Sequence, residues 1–320
     1  MSTEKSSVAL TSFISSLFHN FPKLLLTNLL FAVPSAVYFG IFWFINTITG
    51  LNSNFILFLT AIPLFPFYAG VVQVTSHMVR GEENTDVLHN FISGVKENFL
   101  RFLIHGLVFY VAMFFSYYSI TMYTSFGKIN GVFYIFLAIS IIVSIFFLFT
   151  FYYIPPMTVT FDISMKNIYK NSALMTFGEF RHNLIATLGL FVLFLICATI
   201  LMCCYLPIAV IMATIILALF FVPSIMSFII NSAVYKPMYT MIVGNDEKSK
   251  EIDKKIENRK NGIFYDKEEA PKKNIAEGFS DIEVDENADG DEYIYYNGKM
   301  VKRSVLLKLK NDENPKGEQE

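Results

Sequence analysis

Charge is nearly missing from the first 244 residues. The chain holds 25 Lys/Arg and 27 Asp/Glu, and the stretch 245–320 takes 15 and 20 of them, which leaves 10 basic and 7 acidic side chains before it. A soluble domain carries about a quarter charged residues, so a water-soluble enzyme filling the whole chain is excluded. A basic stripe is missing too: the charged stretch has a balance of 15 − 20 = −5, and no nucleic-acid partner is expected. Cysteine is scarce. Cys197, Cys203 and Cys204 all fall in one apolar run with no Cys-x-x-Cys pair and no nearby His, so they read as weakly polar fillers, with neither a disulfide framework nor a metal site. No Walker loop, His-Glu-x-x-His or Gly-x-Ser-x-Gly occurs, so no catalytic residue and no cofactor is expected.

What is present is apolar length. Hydrocarbon about 30 Å thick needs roughly 20 apolar residues of helix, because an unpaired backbone group there is costly. Six stretches qualify, at 24–48, 55–79, 99–125, 132–154, 184–204 and 208–230, and none contains Asp, Glu or Lys. An ion-coupled transporter without an embedded acid would be unusual. The fifth and sixth stretches nearly touch, and Pro207 between them predicts a tight hairpin at 205–207 rather than one overlong helix.

Lys and Arg set the expected orientation. Lys5, Lys23, Arg80, Lys96, Arg101, Lys166, Lys170, Arg181 and Lys236 fall on one side of the six spans and Lys128 alone on the other. Both termini are therefore expected in the cytoplasm. The outer connections are about six residues or fewer, too short for a binding domain, so the working face is expected inside. Residues 8–18 have apolar positions at helical spacing without a basic region or cleavage site, and read as a helix lying in the interface rather than a secretory leader.

The chain repeats itself. Residues 10–21 and 88–99 share six of twelve positions, among them Phe13/Phe91, Ile14/Ile92, Ser15/Ser93 and Asn20-Phe21/Asn98-Phe99, and a weaker copy ends at His182-Asn183-Leu184. Each copy immediately precedes an odd-numbered span. The expected fold is an all-α polytopic membrane protein: six transmembrane helices in three hairpin units, with interfacial amphipathic helices. It divides into an N-terminal interfacial helix (1–22), a membrane domain (23–243) and a charged, mostly disordered cytoplasmic tail (244–320). In that tail Lys248–Lys260 could form a short helix and 278–292 should stay extended, while Asn297-Gly298 between two β-prone runs predicts a hairpin at 292–303.

Several strings resemble the YesL-like family of bacterial membrane proteins, a domain of unknown function. They are residues 25–34 ending in Pro34, Pro66-Phe-Tyr-Ala-Gly70, Met78-Val-Arg80, Lys96-Glu-Asn-Phe99, Pro156-Met-Thr-Val-Thr-Phe-Asp162 and Tyr169-Lys-Asn-Ser-Ala173. The similarity runs from about residue 13 to residue 243. It implies a multi-span plasma-membrane protein, frequently encoded near genes for carbohydrate uptake or degradation, and it brings no catalytic residue with it.

Candidate positions each admit two readings. Glu97, Arg101 and His105 are spaced i, i+4, i+8, so they share a helix face, with His105 about 12 Å above Glu97. They form either the mouth of a cavity for an anionic or sugar ligand, or a surface pair, a snorkelling Arg101 and a His105 bonded to a neighbouring helix. Asn28 and Asn46 are polar groups of the first span, suited to interhelical hydrogen bonds or to substrate contact. Pro34, Pro63, Pro66 and Pro223 interrupt spans; Pro63 and Pro66 with Gly70 make the best hinge, though simple kinks are the plainer reading. Pro155-Pro156 should close the fourth span, and Asp162, Lys166 and Lys170 should then line a solvated helix face. Tyr152 and Tyr153 fit an inner aromatic belt, and Trp43 an outer one. Two functions follow: a non-enzymatic accessory or scaffold to carbohydrate uptake, partnered by lipid and other membrane proteins, or a small-solute transporter or channel using the proline-kinked spans.

Overall fold

The computed structural model describes residues 2–50, 53–81, 86–244, 293–296 and 299–306. The expected short helix within 245–292, the extended acidic run and the disorder of the tail lie outside the described residues. Nine helices of five residues or more occur among the described residues: α1 (Ser2–Thr49), α2 (Asn54–Phe58), α3 (Ala61–Arg80), α4 (Val87–Gly127), α5 (Phe133–Thr160), α6 (Met165–Gly178), α7 (Phe180–Met202), α8 (Pro207–Phe220) and α9 (Val222–Val243). Five stretches are long and apolar enough to cross a membrane, one of them α2 together with α3 (Asn54–Arg80), and α8 with α9 makes a sixth if a bend of 46° is counted within one span. The chain is thus a helical membrane protein with five to six candidate spans.

Three boundaries differ from those read in the sequence. First, the amphipathic segments before the first and third spans are not set off as separate helices. α1 passes unbroken through Pro22 and Pro34, each proline taking one hydrogen bond from the helix without ending it. α4 is likewise continuous over 41 residues, about 60 Å at 1.5 Å per residue and twice the hydrocarbon thickness, so it must project beyond it. Its start is fixed by Asp86, whose carboxylate accepts from the N–H groups of Leu88 (3.0 Å) and His89 (3.2 Å). Only in the third unit does the chain break, at Glu179 between α6 and α7. Second, Pro155 and Pro156 lie inside α5, which runs on to Thr160. Third, the last apolar stretch is broken at Phe221. Pro223 is the second residue of α9, where its missing N–H is no loss, and Pro207 opens α8 in the same way.

The chain divides into two units, residues 17–159 with 165–238, and residues 1–16 with 160–164 and 239–320. In the larger unit burial concentrates at one end of the helices. Every residue from Ala69 to Met78 of α3 is buried, as is every residue from Phe149 to Val159 of α5 except Phe151, whereas none is buried from Val132 to Leu148. α8 buries nothing, and α7 only Asn183 and Ala186 near its start. The packed ends are those next to the connections that carry most of the Lys and Arg; the opposite ends present bare apolar side chains, as a lipid solvent allows. Small residues permit the tightest crossing, between α3 and α4. A Cβ on Gly70 would stand 2.7 Å from the Phe91 carbonyl oxygen, and one on Gly94 2.7 Å from the Gln73 Cβ.

In the smaller unit β1 (Tyr293–Tyr296) and β2 (Lys299–Lys302) pair antiparallel, Tyr296 opposite Lys299. β2 also meets the segment after α5: Phe161 bridges Met300 in parallel, and the Asp162 N–H donates to the Met300 carbonyl at 2.9 Å. The Phe161 and Tyr239 rings pack with their centroids 6.4 Å apart.

Candidate functional site

Three buried clusters of polar side chains stand out in the larger unit. The first surrounds His105, which is fully buried. Its Nε2 is 3.0 Å from the Thr158 hydroxyl and its Nδ1 2.8 Å from the Tyr169 hydroxyl. The Thr158 hydroxyl already donates its one hydrogen to the Ile154 carbonyl at 2.7 Å, so it must accept from His105, which places the ring proton on Nε2 and leaves Nδ1 to accept from Tyr169. Burial pushes the Tyr169 hydroxyl up to about 12, which keeps it a proton donor. The chain of donors therefore runs Tyr169, His105, Thr158, Ile154 carbonyl, and ties α6, α4 and α5 together.

This arrangement separates the three residues that share a face of α4. Glu97 is exposed and accepts from Ser93, one turn earlier. Arg101 is half-buried and within electrostatic reach of His105. His105 points into the protein, both ring nitrogens engaged. Helical spacing brought the residues to one side of the helix, but neighbouring helices cover only the upper end of that side.

The second cluster is the break between α8 and α9. Where α8 stops, its last carbonyls lack partners, and where α9 starts, its first N–H groups do. Asn28 of α1 serves both. Its Nδ2 lies 2.8 Å from the Phe220 carbonyl, 3.0 Å from the Phe221 carbonyl and 2.7 Å from the Ser224 hydroxyl, its two hydrogens shared among the three acceptors, and its Oδ1 accepts from the Ser224 N–H (2.9 Å). Ser224 passes the bond on to the Leu24 carbonyl at 3.0 Å. A single amide thus caps two helix ends at once.

The third cluster joins α3 to α9, and sequence reasoning missed it. Thr75 and Ser227 hydroxyls stand 2.8 Å apart, Asn231 Nδ2 donates to Thr75 at 2.9 Å, and Ser76 donates to Asn231 Oδ1 at 3.1 Å. Beside them Gln73 Nε2 and His77 Nε2 are 2.9 Å apart. The spacing Ser224, Ser227, Asn231 (i, i+3, i+7) marks one face of a helix and was the available clue.

The other singled-out positions have structural settings. Asn46 Oδ1 accepts from the Ser53 N–H at 3.0 Å, closing the turn between α1 and α2. Pro34 lies inside α1. Pro63 falls in the first turn of α3 and Pro66 one turn further in; Pro66 has no N–H to return to the Ile62 carbonyl. Gly106 packs on that carbonyl, where a Cβ would come within 2.9 Å of its oxygen. Gly70 lies inside α3 against Phe91, a close approach rather than a break. In the repeat, Asn20, Asn98 and Asn183 are all buried: Asn98 donates to the Gly94 carbonyl at 3.1 Å and Asn183 to the Thr176 carbonyl at 3.0 Å, closing the end of α6. Two cavities adjoin the helices. One of about 130 Å³ includes Ser116, Ser119, Ser140 and Ser144 in its wall. The other, about 470 Å³, is a groove lined by Leu25, Leu26, Leu29, Ile216, Phe220 and Phe221. Among the described residues no three His, Cys, Asp or Glu side chains are grouped to hold a metal ion.

Residues 24–120 match the family described as "Protein of unknown function, DUF624". The match runs from α1 into the second half of α4 and takes in Asn28, the α3 side of the third cluster, and His105. No curated protein and no solved structure matches the chain.

Proposed function

We propose that this chain is a non-enzymatic integral membrane protein, an accessory or scaffold to a carbohydrate uptake system, and that it belongs with the YesL-like proteins. On this reading it sits in a bacterial plasma membrane with both termini in the cytoplasm, the side that receives nine of the ten Lys and Arg of residues 1–244. The observation that carries the scaffold role is the use made of the buried polar groups. His105, Asn28, Thr75, Ser227 and Asn231 bond to other helices, which fits groups that hold a bundle together. Neither cavity described above is lined by Glu97, Arg101 or His105. The link to carbohydrate uptake rests on the resemblance of the strings between residues 25 and 173 alone.

The second reading, a small-solute transporter or channel, is favoured by the break at Phe221, since discontinuous helices line binding sites in many transporters. Crosslinking in the native membrane followed by mass spectrometry of the full-length protein separates the two. The scaffold reading expects one stoichiometric membrane partner of a sugar-uptake system. Solute flux by the purified protein alone in liposomes, abolished by R101A/H105A, would replace it with the transporter.

A further inference from the structure

α6 turns one face outward, and the chemistry of that face changes along the axis. Lys166 and Lys170 are exposed in its first half; Leu174 and Phe177 are exposed in its second, at 52% and 76%. Ile168, Ser172, Met175 and Thr176 are buried on the opposite side. At 3.6 residues per turn the four outward positions fall within an arc of about 80°, and Phe180, 57% exposed at the start of α7, extends the apolar end. The expected partner for Lys166 within this face, Asp162, lies before the helix begins, in the segment whose N–H meets Met300. Among the described residues neither lysine makes an ion pair.

A phenylalanine as bare as Phe177 is not a stable choice against water, and two unpaired ammonium groups are not a stable choice in hydrocarbon. One environment satisfies both, the boundary of a bilayer. α7 starts two residues after α6 ends and is apolar enough to span, so the apolar end of the face adjoins the hydrocarbon. The lysine end lies about 16 Å back along the axis, counted from Phe177 to Lys166. We propose that this face of α6 is a binding site for anionic phospholipid: Leu174, Phe177 and Phe180 lie among acyl chains, and Lys166 and Lys170, one turn apart, hold the headgroup phosphate. The site depends on the protein being in a membrane and is independent of the scaffold role.

The chain has a single Trp, Trp43, so a reporter is simple to place. Full-length protein carrying Trp43→Phe and Phe177→Trp is reconstituted into phosphatidylcholine vesicles containing phosphatidylglycerol, with one or the other lipid brominated on its acyl chains. Quenching should show brominated phosphatidylglycerol associating with position 177 about fivefold more strongly than brominated phosphatidylcholine. Adding K166Q/K170Q should bring the two to parity while helical content is unchanged. Equal quenching by both lipids before that change, or a preference that survives it, overturns headgroup selection. Absence of quenching by either lipid places position 177 in water and overturns the site altogether.

Discussion

Asn28 shows what one side chain does when lipid is the solvent. Water cannot supply the partners that the Phe220 and Phe221 carbonyls and the Ser224 N–H lack, so the amide supplies them. Asn28→Leu keeps the volume and removes every one of those bonds. It should destabilise the bundle by about 1–3 kcal/mol, read as a lower midpoint in detergent unfolding, and the loss should be shared by Ser224→Ala only in small part. Tyr169 makes a pH-dependent contribution. Its hydroxyl is raised in the folded state from the ordinary 10 to about 12, so the stability it adds is full below pH 10 and disappears as pH rises through 12. The difference in stability between the protein and Tyr169→Phe should shrink over that window, as measured by alkaline unfolding curves; a constant difference would mean that burial does not raise the Tyr169 hydroxyl on folding. The polar character of both residues was legible in the sequence. Their partners were not: Ser224 is an ordinary member of an apolar run, and nothing in the spacing pairs Tyr169 with His105 until one helix is laid against another.

At the scale of elements, the spans themselves were legible because length without charge has few other meanings in a chain of this composition. Their interruptions were legible only roughly. Between residues 208 and 230 nearly every residue is apolar, so periodicity is silent, and Pro223, which marks an interruption in the sequence, lies two residues past the break at Phe221, inside the start of α9. Pro155 and Pro156 misled in the other direction: two prolines argue for a stop, yet α5 continues through them, held in a buried setting. The crossing of α3 and α4 rests on glycine. Gly106→Ala should cost about 1–3 kcal/mol, since the new methyl meets the Ile62 carbonyl and the Phe65 Cβ, both at 2.9 Å; thermal midpoints in detergent check it. α8 should behave oppositely. With nothing buried on it, Ile211→Ala should change stability by no more than about 0.5 kcal/mol, whereas Met157→Ala at a fully buried position of α5 should cost about 2 kcal/mol or more.

Across the whole molecule, the repeat was legible as sequence and has a structural counterpart in the three buried asparagines, Asn20, Asn98 and Asn183. Two copies run straight into their spans and the third is jointed at Glu179, a difference the shared residues do not announce. The positive-inside count predicts that single cysteines placed at Lys128 react with a membrane-impermeant maleimide on intact cells, and that those placed at Lys236 react only after permeabilisation. The reverse pattern would invert the proposed orientation. The bonds of Asn28 also reach across time. Its acceptors lie 192 and 193 residues further along the chain, so the first span leaves the ribosome long before they exist. Until the final helix is inserted, that amide must be sheltered by the insertion machinery or by a temporary neighbour, and a nascent chain cut short before residue 220 would carry an unmet polar group into the bilayer, a mark by which quality control can recognise it as unfinished.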